Sequence, residues 1–421
     1  MSMAGGPASA VAAGHGRPAP PHGGVVAATA TLACIGLVMV WSATAPFAIE
    51  SRVPPHFARH LAGLALGVVL ALVCMALPLS AWRRLALPLW ALCVGLLGLT
   101  LVAGTTVNGA QRWLSVPGLG PVLQPVELAK WATLLATATA LSREPAASRH
   151  GRFRLPVSGL VLLLVAVPAA LVFVQPDTKG AALLLILVGL QLFVAGTPLR
   201  FFVVPAGALA AVFATALAIY PHVQNRIVAF LDPWANAQAQ GFQLVQSFVA
   251  FGRGGLGGVG LGNGRQKLFY LPEAHTDFVL SVVAEELGLV GVALVLGAFA
   301  ALLAAGVRIA SRTRSRFAFL VAFSMTSLVA VPGAINAAVV MGVVPPTGLT
   351  LPFVSYGRSS LLVSFAAIGI LLGISRREGA RKDEAPLRAA GRGGATARTA
   401  ERRLGGRRER ARLRRERART E

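Results

Sequence analysis

The run "DFVLSVVAEELGLVGVALVLGAFAALLAAGV", Asp277 to Val307, decides what kind of molecule this is. It exceeds the roughly 20 residues with which a helix crosses a bilayer. Yet it carries one acid at its lip, Asp277, and two more inside, Glu285 and Glu286. As helix, at about 1.5 Å per residue, those two lie about 12–14 Å beyond Asp277, near the bilayer middle. Carboxylates at that depth must face a polar interior or stay protonated. The segment reads as a membrane span with chemistry at one end.

The rest of the chain has the same character. Of its 421 residues, 55% are hydrophobic and 13% charged, which is more apolar surface than one soluble core can bury. Apolar stretches near 24–47, 58–80, 84–104, 123–141, 155–174, 178–197, 200–220, 277–307, 317–342 and 351–374 predict an all-α polytopic membrane protein, a bundle of about ten transmembrane helices. A long loop, 221–276, separates the seventh span from the eighth. Cys34, Cys74 and Cys93 all fall inside spans and read as small packing residues, with no disulfide or metal cluster implied.

Residues 1–23 have no compact apolar region of the signal-peptide kind and predict a flexible cytoplasmic tail. Arginines gather in alternate short connections: Arg83 and Arg84; Arg143, Arg149, Arg152 and Arg154; Arg200; then Arg308, Arg312, Arg314 and Arg316. That positive-inside pattern predicts cytoplasmic termini and an extracytoplasmic 221–276 loop. Residues 24–375 then form one transmembrane domain. From Arg376 to Glu421 there are 17 basic and 7 acidic residues, a net +10 of the chain's formal +23. Such a segment predicts a disordered cytoplasmic tail that either helps fix topology or meets anionic lipid or an acidic partner. It has no aromatic residue to stack on bases, which argues against a nucleic-acid partner.

Most other polar features fall in the outer loops, and a loop of the length of 221–276 in a tightly connected bundle is a functional candidate. Within it, "GFQLVQSFVAF" (241–251) sets Phe242, Val245, Phe248 and Val249 opposite Gln243 and Gln246. This predicts a helix either lying on the membrane surface or buried as a connector, alternatives that periodicity does not separate. "GRGGLGGVGLGNG" (252–264) satisfies G-x-G-x-x-G at Gly252, Gly254 and Gly257, but no βαβ unit surrounds it, so a dinucleotide site is rejected. The expectation is a tightly turned backbone that brings Arg253, Arg265 and Lys267 to an anion.

"HTDF", just before the eighth span, offers Thr276 or Asp277 as a helix cap. The gathering of Glu127, Asp177, Asp232, Glu273 and Asp277 around outer helix ends argues for more, because a carboxylate beside an apolar wall holds its proton more tightly and suits a general base. Glu127 and Lys130, three residues apart, share one helix face as an ion pair that is either structural or part of a site.

Several of these segments resemble one family. "GNGRQKLFYLPEAHTDF" (262–278), "NGAQRW" (108–113), "QPVELAK" (124–130), "QPD" (175–177), "FLDPW" (230–234) and "PPTGLTLPFVSYGRSS" (345–360) are similar to the SEDS family (shape, elongation, division, sporulation). The resemblance covers about residues 25–375 and is nearer the division branch than the elongation branch. It implies a ten-helix bundle, at the division septum of the bacterial cytoplasmic membrane, that polymerises lipid II into glycan strands on the outer face. The reaction implied is an inverting displacement of polyprenyl diphosphate. Implied partners are a class B penicillin-binding transpeptidase of the FtsI type and other division proteins.

The resemblance makes Asp277 the catalytic acidic residue and Arg112 and Lys130 cations of a central cavity. Glu127, Lys267, Glu273, His275 and Arg253 join them as candidate substrate-binding residues. No cofactor is called for, and a divalent cation on the diphosphate is left open. Val126, the run Thr178, Lys179 and Gly180, and Arg358 depart from the family pattern, so no family role is carried to 178–180 or 358. Two rivals are weighed. A lipid II flippase calls for internal repeats with sites in both halves, which this sequence does not show; a non-catalytic division scaffold leaves the outer charges without a use.

Overall fold

The structure, a computed structural model, describes residues 21–47, 52–107, 110–116, 120–143, 159–219, 221–239 and 241–379. One compact unit runs from Pro21 to Ile374, and Met1–Pro20 with Ser375–Glu421 makes a second. The expectations for the N-terminal tail up to residue 20, for the tail from 380 onward, and for Arg149, Arg152 and Arg154 lie outside the described residues.

The elements of the first unit are α1 (Gly23–Thr44), α2 (Pro55–Ala76), α3 (Leu79–Ala103), β1 (Thr105–Val107), β2 (Ala110–Val116), β3 (Gly120–Leu123), α4 (Pro125–Arg143), α5 (Gly159–Val174), α6 (Thr178–Val194), α7 (Val203–Ile219), α8 (Pro221–Leu231), α9 (Phe242–Gly254), α10 (Val279–Arg312) and α11 (Arg316–Val340). They end in α12 (Arg358–Gly379), whose residues to Ile374 belong to this unit. The protein is a multi-span helical membrane protein. Six helices, α1, α2, α3, α10, α11 and α12, are long and apolar enough to cross a membrane by length and composition. The expected count of ten is therefore not met on that measure: α5, α6 and Leu209–Ile219 of α7 are apolar but shorter, and α4 is diluted by Glu127, Lys130 and buried threonines at 133, 137 and 139.

α4 packs against α3, α5, α6 and α11 and is buried on all sides from Ala129 to Leu141, the property of a central helix. Peripheral α2 and α3 instead expose Leu66, Val69, Leu72, Leu92 and Leu99, the surface a lipid-facing helix requires. β1, β2 and β3 pair antiparallel in that order, a small sheet absent from the all-α expectation.

Two expected spans change shape. The tenth, placed at 351–374, becomes helical only at Arg358. Pro345, Pro346 and Pro352 cannot sustain a helix, and the segment packs inward instead, with Phe353 1% exposed. α1 admits it at Gly36, where a Cβ would stand 2.2 Å from the Phe353 carbonyl oxygen. The eighth is not one continuous helix either, for α10 is interrupted at Gly288, with φ 68 and ψ −165.

That interruption gives the glycine-rich segment its purpose. Val259 and Gly260 N–H groups donate to the carbonyls of Glu285 and Glu286, while Leu289 and Val290 donate to those of Gly255 and Leu256. The broken helix thus finds its hydrogen-bond partners within the protein, as backbone at membrane depth must. α9 lies against α10 with Leu244, Val245, Ser247, Ala250 and Gly254 buried, and Ser247 Oγ donates to the Val340 carbonyl at 2.7 Å. Of the expected apolar face, Val245 is buried while Phe242, Phe248 and Val249 are half-buried.

Candidate active site

The opening turns of five helices border one cavity of about 1120 Å³. α2 brings His56 and Arg59, α4 brings Glu127 and Lys130, α6 brings Thr178 and Lys179, α12 brings Arg358 and Ser359, and α10 is entered through Asp277 and Phe278. Each helix N-terminus presents unpaired N–H groups and the positive end of a dipole, so five on one space favour an anion.

Asp277 lines this cavity together with Glu273, Glu127, Lys130 and Arg112. It does not cap α10: the cap position is Phe278, with no side-chain hydrogen bond, and Thr276 Oγ1 donates to Glu273 Oε2 at 2.6 Å instead. The backbone of Asp277 is held from α11, where the buried Asn336 donates through Nδ2 to the Asp277 carbonyl at 2.7 Å and to the Leu349 carbonyl at 2.6 Å. Ser355 Oγ donates to the Thr276 carbonyl at 2.5 Å and Tyr356 N–H to that of His275 at 2.9 Å. The 271–278 and 345–357 segments are thereby stitched into one wall.

Lys130 Nζ lies 2.7 Å from Glu127 Oε1. Arg112, on β2, donates to the carbonyls of Gln175 and Pro176, which carries the guanidinium from the small sheet to the cavity. Asp177 accepts from Gly180 N–H at 3.1 Å and so caps α6.

Three candidates stand elsewhere. His275 is behind the wall, its ring 5.8 Å from Tyr356 and 5.3 Å from His56. Burial pushes its imidazole below the ordinary histidine range, against the opposing pull of Glu273, so it is neutral rather than a cation. Lys267 and Arg253 are spent on the intramembrane acids: Lys267 Nζ is 2.6 Å from Glu286 Oε1 and Arg253 Nη1 is 3.1 Å from Glu285 Oε1. The Gly262 N–H donates to Glu286, those of Arg265 and Gln266 to Glu285, and Ser42 Oγ also donates to Glu286. The glycine-rich loop does cradle an anion, as its turns predicted, but the anion is the protein's own pair of carboxylates.

Sequence reasoning passed over Asn336, Arg59 and Tyr356 and withheld roles from Lys179 and Arg358, which line the cavity. Asn336 had a signal, a lone amide in the apolar run "VAVPGAINAAVV" (329–340), where a polar side chain demands a partner. Among the described residues no group of three or more His, Cys, Asp or Glu could hold a metal ion.

The profile of the FtsW/RodA/SpoVE family, described as "Cell cycle protein", matches residues 24–380. A "Probable peptidoglycan glycosyltransferase FtsW" of Halomonas elongata is 38% identical over 371 residues, 86% of this chain and 92% of the relative. One of the same description from Trichlorobacter lovleyi is 40% identical over 82% of this chain and 90% of the relative. Among solved structures, a chain from "Structural coordination of polymerization and crosslinking by a peptidoglycan synthase complex" superposes with a TM-score of 0.68 at 33% identity, covering 85% of this chain and 98% of its own. The rod shape determining protein RodA of Thermus thermophilus superposes with a TM-score of 0.61 at 30% identity, covering 85% and 97%. A family match over most of the chain and likeness in both sequence and fold lead to one statement: the chain belongs to the FtsW/RodA/SpoVE family of cell cycle proteins.

Proposed function

We propose that this protein is a peptidoglycan glycosyltransferase that polymerises lipid II into glycan strands on the outer face of the membrane. The observation that carries the reading is one cavity in which a carboxylate, Asp277, shares walls with Arg112 and Lys130 and with the N-termini of five helices. In the reaction the acceptor's 4-hydroxyl attacks the anomeric carbon of the donor, and its proton passes to Asp277. The bond from that carbon to the diphosphate oxygen breaks, and polyprenyl diphosphate leaves with the bonding electrons. Arg112, Lys130 and the helix N-termini offset the charge gathering on the leaving group. One displacement turns an α-linked diphosphate into a β-linked glycan, so no covalent enzyme intermediate is required.

The helix ends support this orientation. α4 and α10 begin at the cavity and finish at Arg143 and Arg312. Arginine-rich ends stay cytoplasmic, which supports a cavity that opens outside and termini that lie inside. The likeness to a chain of a peptidoglycan synthase complex supports a class B penicillin-binding transpeptidase as partner, and the FtsW descriptions of the relatives support work at the division septum. The test is glycan-strand formation from labelled lipid II by the purified protein with its transpeptidase, with and without divalent cation. Asp277→Asn should abolish it while leaving the protein folded. Normal turnover in that variant would remove Asp277 as the base. Transbilayer movement of lipid II without strand formation by the wild type would favour a flippase.

A further inference from the structure

Gly348 has a φ of +69, and a Cβ placed on it would stand 3.0 Å from Asp277 Oδ2 and 3.1 Å from Lys179 Nζ. The catalytic candidate and an ammonium therefore share one side-chain-free notch. Lys179 Nζ also donates to the Gly348 carbonyl, and Asn336 ties the neighbouring carbonyls of Asp277 and Leu349 to one amide, so the juxtaposition is built into the backbone.

Lys179 is the second residue of α6, where the helix dipole disfavours a cation. No acid stands in that first turn, and Asp177 is occupied as the cap. The compensating negative charge lies across the notch, at Asp277 and the Gly348 carbonyl. Several other charged groups lining the cavity have partners of their own. Glu127 and Lys130 of α4 neutralise each other, Arg112 of β2 holds the 175–176 carbonyls, and Glu273 accepts from Thr276; His56 and Arg59 of α2 and Arg358 of α12 also line the cavity. Burial lowers the proton affinity of His275, against the pull of Glu273.

We propose that Lys179 is a positioning residue for the glycosyl transfer, its ammonium braced on Gly348 so that it keeps Asp277 in the ionised, proton-accepting form at the cavity wall. The proposal rests on Asp277 being the base. Its test is the rate of strand formation by the full chain with its transpeptidase, followed from about pH 5 to about pH 9, the range in which a carboxylate base and its loss by protonation are both visible. A cation beside a carboxylate favours its charged form. In Lys179→Met the acid limb of the profile should accordingly move up by about one pH unit, with about a fivefold loss of turnover at its former midpoint.

Lys179→Arg should keep the wild-type limb. Gly348→Ala, which wedges a methyl between the two groups, should move it upward as Lys179→Met does. Thermal unfolding and membrane yield establish that each variant is folded. A wild-type limb and turnover in Lys179→Met would overturn the proposal, as would a loss of turnover that leaves the limb in place and is not rescued by arginine. Asp277→Asn separates the failures: if it is inactive while Lys179→Met is normal, only the Lys179 role falls, and if it is active, the base assignment falls first.

Discussion

Lys130 is 2% exposed and sits 2.7 Å from Glu127, on a helix buried from all sides. A charge so placed is expensive unless it is paired, and here the pair also lines the cavity wall. Lys130→Ala removes a cation from the proposed diphosphate site and leaves Glu127 alone, so turnover per folded molecule should fall on the order of a hundredfold, while Lys130→Arg should retain most of it. Normal turnover per folded molecule in Lys130→Ala, with only the folding yield reduced, would make the pair purely structural. The pairing was legible in the sequence because residues three apart on a helix share a face. The role of Asn336 was not, because its two acceptors, the carbonyls of Asp277 and Leu349, come from segments far apart in the chain.

At the scale of the element, the break in α10 and the glycine-rich segment form one device. Gly258, at φ +79, comes so close that a Cβ would stand 2.2 Å from the Glu286 carbonyl oxygen. The Glu286 side chain draws in Lys267, Ser42 and the Gly262 N–H. Removing one partner of a buried pair strands the other charge. Glu286→Gln should therefore destabilise the protein by about 3–5 kcal/mol and open the 255–266 segment to proteolysis. Lys267→Met combined with Glu286→Leu should recover part of that stability, because no unpaired charge remains. A wild-type melting temperature in Glu286→Gln, or a double variant no better than either single one, would count against this tether. Sequence alone could say that two acids at that depth need polar company, but not that a loop some twenty residues upstream supplies it.

For the whole molecule, the prediction concerns sidedness, since the proposed reaction takes place outside. Cysteines placed at Gln111 and Gln238 should react with an impermeant thiol reagent added to intact cells, and cysteines at Ser148 and Ser315, in the arginine-rich connections, should not. Cys74 and Cys93 are buried, as expected, but Cys34 is exposed on the surface of α1, so the labelling background is best lowered with Cys34→Ala. The reverse pattern would put Asp277 in the cytoplasm and end the polymerase reading. The membrane character, most of the apolar helices and the pairing of Glu127 with Lys130 were readable in the sequence. Apolar run length, charge bias and local motif wording are properties of neighbours along the chain. Tertiary structure decided that Lys267 and Arg253 serve the buried acids, that His275 packs behind the wall, that α10 is broken, and that Lys179 faces Asp277 across Gly348. In each of these cases the deciding partner is remote in sequence, and only the packing of helices brings a buried charge or an unpaired backbone group to the partner it requires.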